Sequence, residues 1–408
     1  MRSQGDYILT KDEVYGTAHA WLAAAFKLEV ASRKCDASTL WRVLLMMAAQ
    51  AVSFAAACRD ANWGVSRETL RSAFSSALPA LPEVEQRLNQ ALATKLPKGF
   101  ARKPRMVAID LTMIPYYGKP LHDEREIYRG KSKAGTSNFH AYATALLVHK
   151  CQRFTLAATH VPHREKMHDV VERLLLRVAQ LNIKIKLLLL DKGFFSFHVM
   201  HYLKRIGCGF IIPVALRGAR GRRRKRTGLR ALVKKDNGFY VHTMTKSIDK
   251  QPHELTITIC IAGKGYTRRK TGQRHYKKLP FALSGVRLTP RKIAELYRKR
   301  FGIETSYRQM NQARGRTCSP CPATRMLYVG IALVLRNVWA WFHHQLCRAR
   351  WTEEPIEFQE LMRFKQMLLW MVEVILESLG ADPCRGIERQ RYEELVARKT
   401  AKAGIGNY

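Results

Sequence analysis

The sequence predicts an α/β fold in which a mixed β-sheet carries helices on its faces. Two patterns along the chain support this prediction. From about residue 105 to residue 286, short apolar runs typical of strands alternate with amphipathic helical patterns. Toward both ends of the chain, apolar residues recur instead at the three- and four-residue spacing of helices. We therefore expect helical N- and C-terminal regions on either side of a sheet, with divisions at 1–98, 99–324 and 325–408.

The first 98 residues predict a set of helices. Apolar residues follow helical spacing from Trp21 to Leu28 and again from Leu40 to Met47. The segment Trp63 to Leu70 is compatible with a turn that leads into a DNA-recognition helix. A plain helical hairpin explains the same residues. The sequence predicts helices and a DNA-binding role for this region. It leaves open whether Trp63 to Leu70 leads into a recognition helix or belongs to a plain hairpin.

The middle region supplies the strands and helices of the sheet in a definite order. Three strands, a helix, a strand, a helix and a strand are expected in the following places: 106–110, 139–149, 154–161, 170–181, 185–190, 199–203 and 210–212. The strand at 185–190 is mostly apolar and runs directly into Asp191. This order predicts a mixed sheet with helices on its faces.

A basic stretch at about 214–280 interrupts that order. Seven of the ten residues from 217 to 226 are Lys or Arg, and such a block cannot pack in a core. The candidate DNA contacts in the block are Arg222, Arg223, Arg224, Lys225 and Arg226. Two strand-like runs follow, so we expect a β-rich basic insertion. The run 281–286 then resumes the sheet, and Pro290 opens a long helix at its first position.

The charge of the chain indicates a polyanionic partner. Lys and Arg number 71 against 32 Asp and Glu, which gives a net charge of +39. A charge of this size repels itself in a compact fold, and DNA or RNA is the usual polyanion that offsets it. A solvated basic surface or a ribosome-associated protein is the alternative. The nine cysteines form no framework, the first ten residues contain no apolar signal core, and no apolar run reaches membrane-spanning length, so we expect a cytoplasmic protein without a membrane partner.

Three acidic residues are the candidate catalytic groups. Asp110 and Asp191 are each expected at the end of an apolar strand, where a carboxylate is held rigidly at the edge of the sheet, and Glu304 lies on the helix after Pro290. Carboxylates gathered beside a basic surface are suited to binding Mg²⁺ against phosphates. Any one of these acids alone is more simply explained as a solvent-facing charge. Their positions in the predicted fold favour a shared metal site.

The helix that carries Glu304 also carries a polar stripe. Tyr297, Arg300, Glu304 and Asn311 fall within an arc of roughly 60° if the helix is continuous. An ordinary amphipathic surface helix is the alternative interpretation. Gly302 lies within the stripe, and a glycine here allows close approach to a neighbouring element.

These segments resemble the motifs of DDE transposases from bacterial and archaeal insertion sequences. The run Ile109 to Gly118 resembles the segment of the first aspartate, and Leu190 to Phe194 resembles the segment of the second. Tyr297 to Glu304 is similar to the Y-R-E part of the Y-R-E-K signature of these enzymes. The resemblance covers about residues 105–340. It implies a ribonuclease-H-like catalytic core that a β-rich insertion interrupts between the second Asp and the Glu.

The resemblance also implies a mechanism and partners. Asp110, Asp191 and Glu304 would hold two Mg²⁺ (or Mn²⁺) ions, which first activate water to nick a transposon end and then activate the freed 3′-hydroxyl for strand transfer. The expected partners are double-stranded DNA, as transposon ends and target, and further copies of the chain in a homo-oligomer on that DNA. The expected contacts to DNA outside the basic block are Tyr297, Arg300, Arg308 and Lys192.

One position departs from the family pattern. Asn311 stands where the signature has Lys. Either Arg308 or Arg314 supplies the missing cation, or full activity has been lost. The sequence therefore leaves two rival functions beside the transposase: a catalytically inactive DNA-binding relative that acts as a repressor or architectural protein, and a structure-specific nuclease of the same fold.

Two other patterns are weak. Cys318 and Cys321 form a lone CxxC without a second pair of ligands, so we expect no bound zinc. The histidines at 160, 163 and 168 are better explained as part of a polar loop and helix start than as a metal site. A GxxxxGK[ST] phosphate-binding loop is absent from the sequence, which argues against an ATP-driven helicase or recombination motor.

Overall fold

A computed structural model describes residues 8–148, 153–216, 229–232, 236–248, 250–267, 272–347 and 362–380. The basic block at 222–226 lies outside the described residues.

A single mixed sheet forms the centre of the described structure. Its strands are β1 (Arg105–Pro115), β2 (Tyr128–Lys133), β3 (Thr136–Val148), β4 (Thr155–Val161), β5 (Ile185–Leu190), β6 (Phe210–Pro213), β7 (Gly238–Ile248), β8 (Gln251–Thr267) and β9 (Arg274–Ser284). They lie side by side in the order β2-β3-β1-β5-β6-β9-β8-β7, and β4 pairs with β3 on the edge that β2 also uses.

Five strands of the core, β1 and β3 to β6, have the expected ribonuclease-H-like order. β3 runs antiparallel to β1, and β4 runs antiparallel to β3. β5 and β6 then continue the sheet on the other side of β1, and both pairings there are parallel. The predicted mixed sheet is confirmed. The strand at 185–190 has its predicted bounds because a continuous Leu-rich run of that length is buried on both faces.

The predicted insertion differs from expectation in one respect, since its strands extend the same sheet. β9 pairs antiparallel with β6, and β8 and β7 follow in a meander. Alternate apolar residues of β8 and β9, including Cys260 and Phe281, pack against Ile293 of the helix that follows. This shared burial holds the added strands in register with the core. The sequence patterns also missed β2, which is a short, polar and largely exposed edge strand.

Helices cover both faces of the sheet. The N-terminal region contains α1 (Lys11–Ala25), α2 (Ala37–Gln50), α3 (Phe54–Ala57), α4 (Arg67–Ala77) and α5 (Leu81–Ala93). The core adds α6 (Met167–Gln180), α7 (Phe197–Arg205), α8 (Leu229–Leu232), α9 (Pro290–Arg298) and α10 (Gly302–Gln312), and the C-terminal region adds α11 (Pro322–Cys347) and α12 (Phe364–Ser378). Ser and Asp side chains cap several of these helices. Ser66, for example, accepts a hydrogen bond from the backbone of Thr69 and so fixes the start of α4.

The terminal helices share one hydrophobic core with the sheet. On α5, Glu85 accepts hydrogen bonds from Thr159 and from the backbone N–H of His160 on β4, and it forms an ion pair with Arg177 on α6. The indole of Trp21 on α1 donates to the carbonyl of Ala91 on α5. The division of the chain at residues 98 and 324 remains a prediction, because both terminal regions contribute to this common core.

The C-terminal half of the fold is organised around α11. Pro322–Gln345 is long and apolar enough to cross a membrane by length and composition, but 94% of the most apolar window is buried inside the protein. Core helices of soluble proteins have the same composition, so the feature is weak evidence for a membrane. Within this helix, residues 327–335 are buried throughout.

The predicted long helix after Pro290 is wrong in one detail. A 3-10 turn at Lys299–Phe301 separates α9 from α10, so the stripe from Tyr297 to Asn311 does not lie on one continuous helix. α10 begins at Gly302, where a side-chain Cβ would come within 2.6 Å of the guanidinium of Arg153. The close approach expected of this glycine is confirmed.

Candidate active site at the edge of the sheet

Asp110 lies in the middle of β1, although the sequence placed it at the end of a strand. The parallel pairing with β5 stops at Ile109, but the antiparallel pairing with β3 continues to Pro115 and carries β1 beyond Asp110. The side chain is only 13% exposed. One carboxylate oxygen accepts a 2.8 Å hydrogen bond from the backbone N–H of Leu111. Asp110 is therefore held rigidly where the parallel part of the sheet opens.

Asp191 and Glu304 approach the same place from two other elements. Asp191 directly follows β5, the strand beside β1, and Glu304 lies in the first turn of α10. Their side chains are 44% and 43% exposed, in contrast to that of Asp110. One side of the cluster is thus buried in the protein, while the other is open to solvent and to a substrate.

The guanidinium of Arg300 joins the three carboxylates. Its Nη1 lies 2.8 Å from Oδ2 of Asp110, and its Nη2 lies 3.2 Å from Oε1 of Glu304 and 3.5 Å from Oδ1 of Asp191. The Arg300 side chain is only 6% exposed. The three acids predicted from sequence therefore converge within 3.5 Å of a single cation. With three negative groups and one positive group, the cluster carries an excess negative charge.

Burial changes the acidity of the innermost carboxyl. Desolvation raises the pKa of Asp110 to about 6, although the Arg300 charge and the Leu111 hydrogen bond both act to lower it. The nearby charge of Asp191 raises it further. The carboxyl of Asp110 accordingly changes its charge within a mildly acidic pH range.

Two tyrosines fix the backbone around the carboxylates. The hydroxyl of Tyr297 donates to the carbonyl of Leu190, directly before Asp191, over 3.2 Å. The hydroxyl of Tyr307 lies 2.9 Å from the carbonyl of Asp110 and 2.8 Å from the hydroxyl of Thr144, the residue paired with Asp110 in β3. Sequence reasoning missed Tyr307 and Thr144, since no motif marks them. Their roles depend on a register that only the folded sheet defines.

The residues predicted to contact DNA fall into two groups. Lys192 and Arg308 are exposed, one directly after Asp191 and the other one helical turn after Glu304. Tyr297 and Arg300 are buried and directed toward the protein at the carboxylate cluster.

Arg314 approaches the position at which the family signature has Lys. Its Nε donates a 3.2 Å hydrogen bond to the side-chain oxygen of Asn311. Asn311 is exposed. A guanidinium therefore lies beside the residue that replaces the family Lys. That Arg308 or Arg314 supplies the missing cation stays a prediction.

The carboxylates suit a divalent ion in their chemistry, but their present spacing does not hold one. Mg²⁺ and Mn²⁺ prefer a few carboxylates together with water and substrate oxygens, and the cluster offers three carboxylates around one point. Within the described ranges, no group of three or more His, Cys, Asp or Glu is close enough to hold a metal. The Arg300 guanidinium contacts all three acids, so an ion shared by them requires that this side chain yield its contacts.

The cysteine pair and the histidines do not form a site in the described residues. Cys318 is exposed and Cys321 is partly buried, and both are free thiols. His160 packs against the ring of Tyr142, whereas the ring of His168 stacks on that of His198. The absence of a bound zinc ion stays a prediction.

Comparison with known proteins agrees with the motifs. The family model described as the transposase DDE domain matches residues 101–338, which is more than half of the 408-residue chain. A search of the curated proteins found no match. One similar solved structure is the cryo-EM structure of the piggyBac transposase synaptic complex with hairpin DNA. It has 12% sequence identity and a TM-score of 0.48, and the alignment covers 95% of this chain and 87% of that chain.

Proposed function

Because the chain belongs to the family of transposases with a DDE domain, we propose that it cuts DNA at transposon ends and joins the freed ends to a target. The reaction is a metal-dependent phosphodiester cleavage followed by strand transfer. Asp110, Asp191 and Glu304 are the proposed catalytic residues. The chain acts as a homo-oligomer bound to double-stranded DNA, and it does so in the cytoplasm.

The convergence of the three carboxylates on the Arg300 guanidinium carries this proposal. They come from three separate elements, β1, the end of β5 and α10, and yet all lie within 3.5 Å of one group. Surface acids that serve only as solvated charges have no reason to gather in this way, because like charges repel. The arrangement concentrates negative charge at one open point in a chain of net charge +39.

The carboxylates are the groups that would hold the metal. With two Mg²⁺ or Mn²⁺ ions bound by these residues, the site would stabilise the attacking and leaving oxygens of an in-line displacement at phosphorus. Asp110 contributes a rigid, buried ligand, whereas Asp191 and Glu304 face the open side, where a DNA phosphate has access. Tyr297 and Tyr307 hold the backbone on either side of the site and so keep the carboxylates aimed at a common point.

The remaining positions serve the DNA. Lys192 and Arg308 flank the carboxylates with exposed positive charge, and the basic block at 222–226 adds further contacts to phosphates. Arg314 takes the place of the family Lys beside Asn311. Tyr297 and Arg300 are proposed to position the DNA backbone, as in the Y-R-E-K signature. A direct contact from Arg300 to phosphate requires its guanidinium to leave the carboxylates, which a divalent ion would then neutralise.

The proposal is tested by strand cleavage and joining in vitro. The substrate is a duplex that carries the DNA flanking the gene, incubated with the purified protein and Mg²⁺ or Mn²⁺. Wild-type protein is expected to nick this DNA and to join the 3′-ends to a second duplex. Glu304→Gln should lose both activities and retain DNA binding, because it removes a metal ligand and one negative charge.

Glu295→Gln is the matched control. Glu295 lies on the neighbouring helix α9 in a surface ion pair with Arg291, so its loss should leave both activities intact. A wild-type protein that binds DNA and never cleaves it would favour the inactive DNA-binding relative, for which Asn311 is the supporting feature. Cleavage without joining of pre-cut ends would favour a nuclease.

A further inference from the structure

A basic groove lies away from the carboxylates, between the segment that joins α5 to β1 and the C-terminal half of α11. It has a volume of about 920 Å³. Five cationic side chains line it: Lys95, Lys98, Arg102, Lys103 and Arg105. Trp341 and His344 of α11 form part of the opposite wall.

Among the residues that the structure describes, no acidic group compensates this charge. The sequence contains no Asp or Glu between residues 86 and 109. None of the five cations forms an ion pair with a residue that the structure describes. Arg105 instead donates to the backbone carbonyls of Phe100 and Gly99, which fixes the course of the segment. Five positive charges in an eleven-residue segment repel one another, so a bound anion stabilises the arrangement.

The aromatic side chains indicate which part of a nucleic acid the groove recognises. Nζ of Lys95 lies 4.6 Å from the centre of the Trp341 ring, and the guanidinium carbon of Arg105 lies 5.4 Å from that of Phe100. Phe100 itself is buried. Cations thus already occupy ring faces on which a base would stack. The groove is suited to the charge of phosphates and not to the reading of bases.

The groove lies at the opposite edge of the sheet from the candidate active site. Arg105 begins β1 beside Ile185 at the start of β5, and both strands run in the same direction toward Asp110 and Asp191. Asp110 lies five residues after Arg105 along β1, a distance of about 17 Å. A phosphate bound in the groove is therefore a different phosphate from the one that reacts.

We propose that this groove binds the sugar–phosphate backbone of double-stranded DNA, independently of sequence, at a point about 17 Å or more from the catalytic carboxylates. The inference rests on the proposed function, because it takes DNA as the substrate of the chain. The groove adds a second anchoring point for DNA. It holds the duplex where β1 and β5 begin, while the carboxylates act at the edge of the sheet where β5 ends.

The test measures DNA binding without cleavage. Affinity for a labelled duplex is measured in EDTA at several salt concentrations for the wild type and for the triple variant Lys98→Ala, Arg102→Ala, Lys103→Ala. These side chains are exposed. If all three contact phosphates, the slope of log K against log salt should become shallower by about 2.7, which is three contacts at about 0.9 each. The triple variant Lys98→Arg, Arg102→Lys, Lys103→Arg keeps the charge and should keep the slope.

A second measurement reports direct contact. A photo-crosslinking benzoylphenylalanine placed at position 98 should crosslink to the duplex, while the same group at the exposed Leu369 of α12 should not. An unchanged salt slope in the alanine variant, or a slope that falls equally in the charge-conserving variant, would overturn the proposal. So would crosslinking from position 369 and not from 98.

Failure of the proposed function would appear elsewhere. If the protein never cleaves DNA, the salt slopes and crosslinks still decide whether the groove binds it, because both are measured without a divalent ion. If cleavage depends on the carboxylates and the alanine variant binds with the wild-type slope, only the groove is refuted.

Discussion

Arg300→Gln removes the one cation at the centre of the carboxylate cluster. The Arg300 guanidinium lies 2.8 Å from the Asp110 carboxylate, and the two side chains are only 6% and 13% exposed. Two unit charges about 4 Å apart at an effective dielectric constant of about 20 attract by about 4 kcal/mol. Removal of one member of a buried ion pair typically costs about 3–5 kcal/mol. Asp191 and Glu304 are exposed enough for solvent to screen them, so the Asp110 contact dominates. We expect the free energy of unfolding at pH 8 to fall by about 3–5 kcal/mol.

The loss should depend on pH in a definite direction. The pKa of Asp110 is raised to about 6 by burial while Arg300 holds it down, so removal of Arg300 raises this pKa further. When the pKa of an acid is higher in the folded state than in the unfolded state, its protonation stabilises the fold. This contribution to the free energy of unfolding is present at low pH and is lost as the pH rises through the folded-state pKa. The variant should therefore approach wild-type stability as the pH falls from 8 to 5.

Urea unfolding at pH 5 and pH 8, with EDTA or with Mg²⁺, measures both effects. Mg²⁺ should restore much of the lost stability at pH 8, because a divalent ion neutralises the carboxylates that Arg300 no longer contacts. Lys299→Gln is the matched control, since Lys299 is the exposed neighbour and its loss removes the same charge. An equal loss at both pH values, without any effect of Mg²⁺ at pH 8, would refute the reasoning.

Three further predictions concern the pH dependence of cleavage, the Glu85 ion pair and zinc. Cleavage at fixed Mg²⁺ should rise with pH, reach half of its maximum near pH 6 and level off about one pH unit above that, because Asp110 must lose its proton to bind metal and its pKa is about 6. A rate that does not change between about pH 5 and about pH 7 would contradict this. Glu85→Ala should lower the free energy of unfolding in urea by about 3–5 kcal/mol, since it breaks the ion pair with the partly buried Arg177 and leaves the backbone N–H of His160 without its acceptor. The surface variant Glu83→Ala should cost less than about 1 kcal/mol. Elemental analysis of the purified protein should find no stoichiometric zinc, because Cys318 and Cys321 lack partner ligands; about one zinc per chain, lost in Cys318→Ser, would show otherwise.

The sequence predicts those parts of the fold in which burial dictates residue type. The Leu-rich strand before Asp191 and the amphipathic helix α6 were both placed correctly, since an element packed against a core shows its period or its apolar run directly. The polar edge strand β2 leaves no such trace. The same holds for the continuation of β1 past Asp110, which depends on its pairing with β3.

The candidate site was predictable in its composition but not in its contacts. Asp110, Asp191 and Glu304 were found from their positions beside strands and from the family motifs. The contacts between Arg300 and all three acids were not predicted. Helical spacing shows which residues share one face of a helix, but it does not show which side chains they contact. The 3-10 turn between α9 and α10 also changes the angular positions of these side chains, which were predicted for one continuous helix. The pairing of Tyr307 with the backbone of Asp110 spans 197 residues and depends on tertiary structure alone.

Strand cleavage by Asp191→Asn tests the central claim most directly. The variant should fold, bind DNA at least as tightly as the wild type and show no cleavage with Mg²⁺, because it removes one ligand and one negative charge from the site. The double variant Asp110→Asn, Asp191→Asn should be no less active than either single variant, since residues that act as a unit do not contribute additively. A folded, DNA-binding Asp191→Asn protein that cleaves at the wild-type rate would contradict the account, and Asp191 would then be only the structural end of β5.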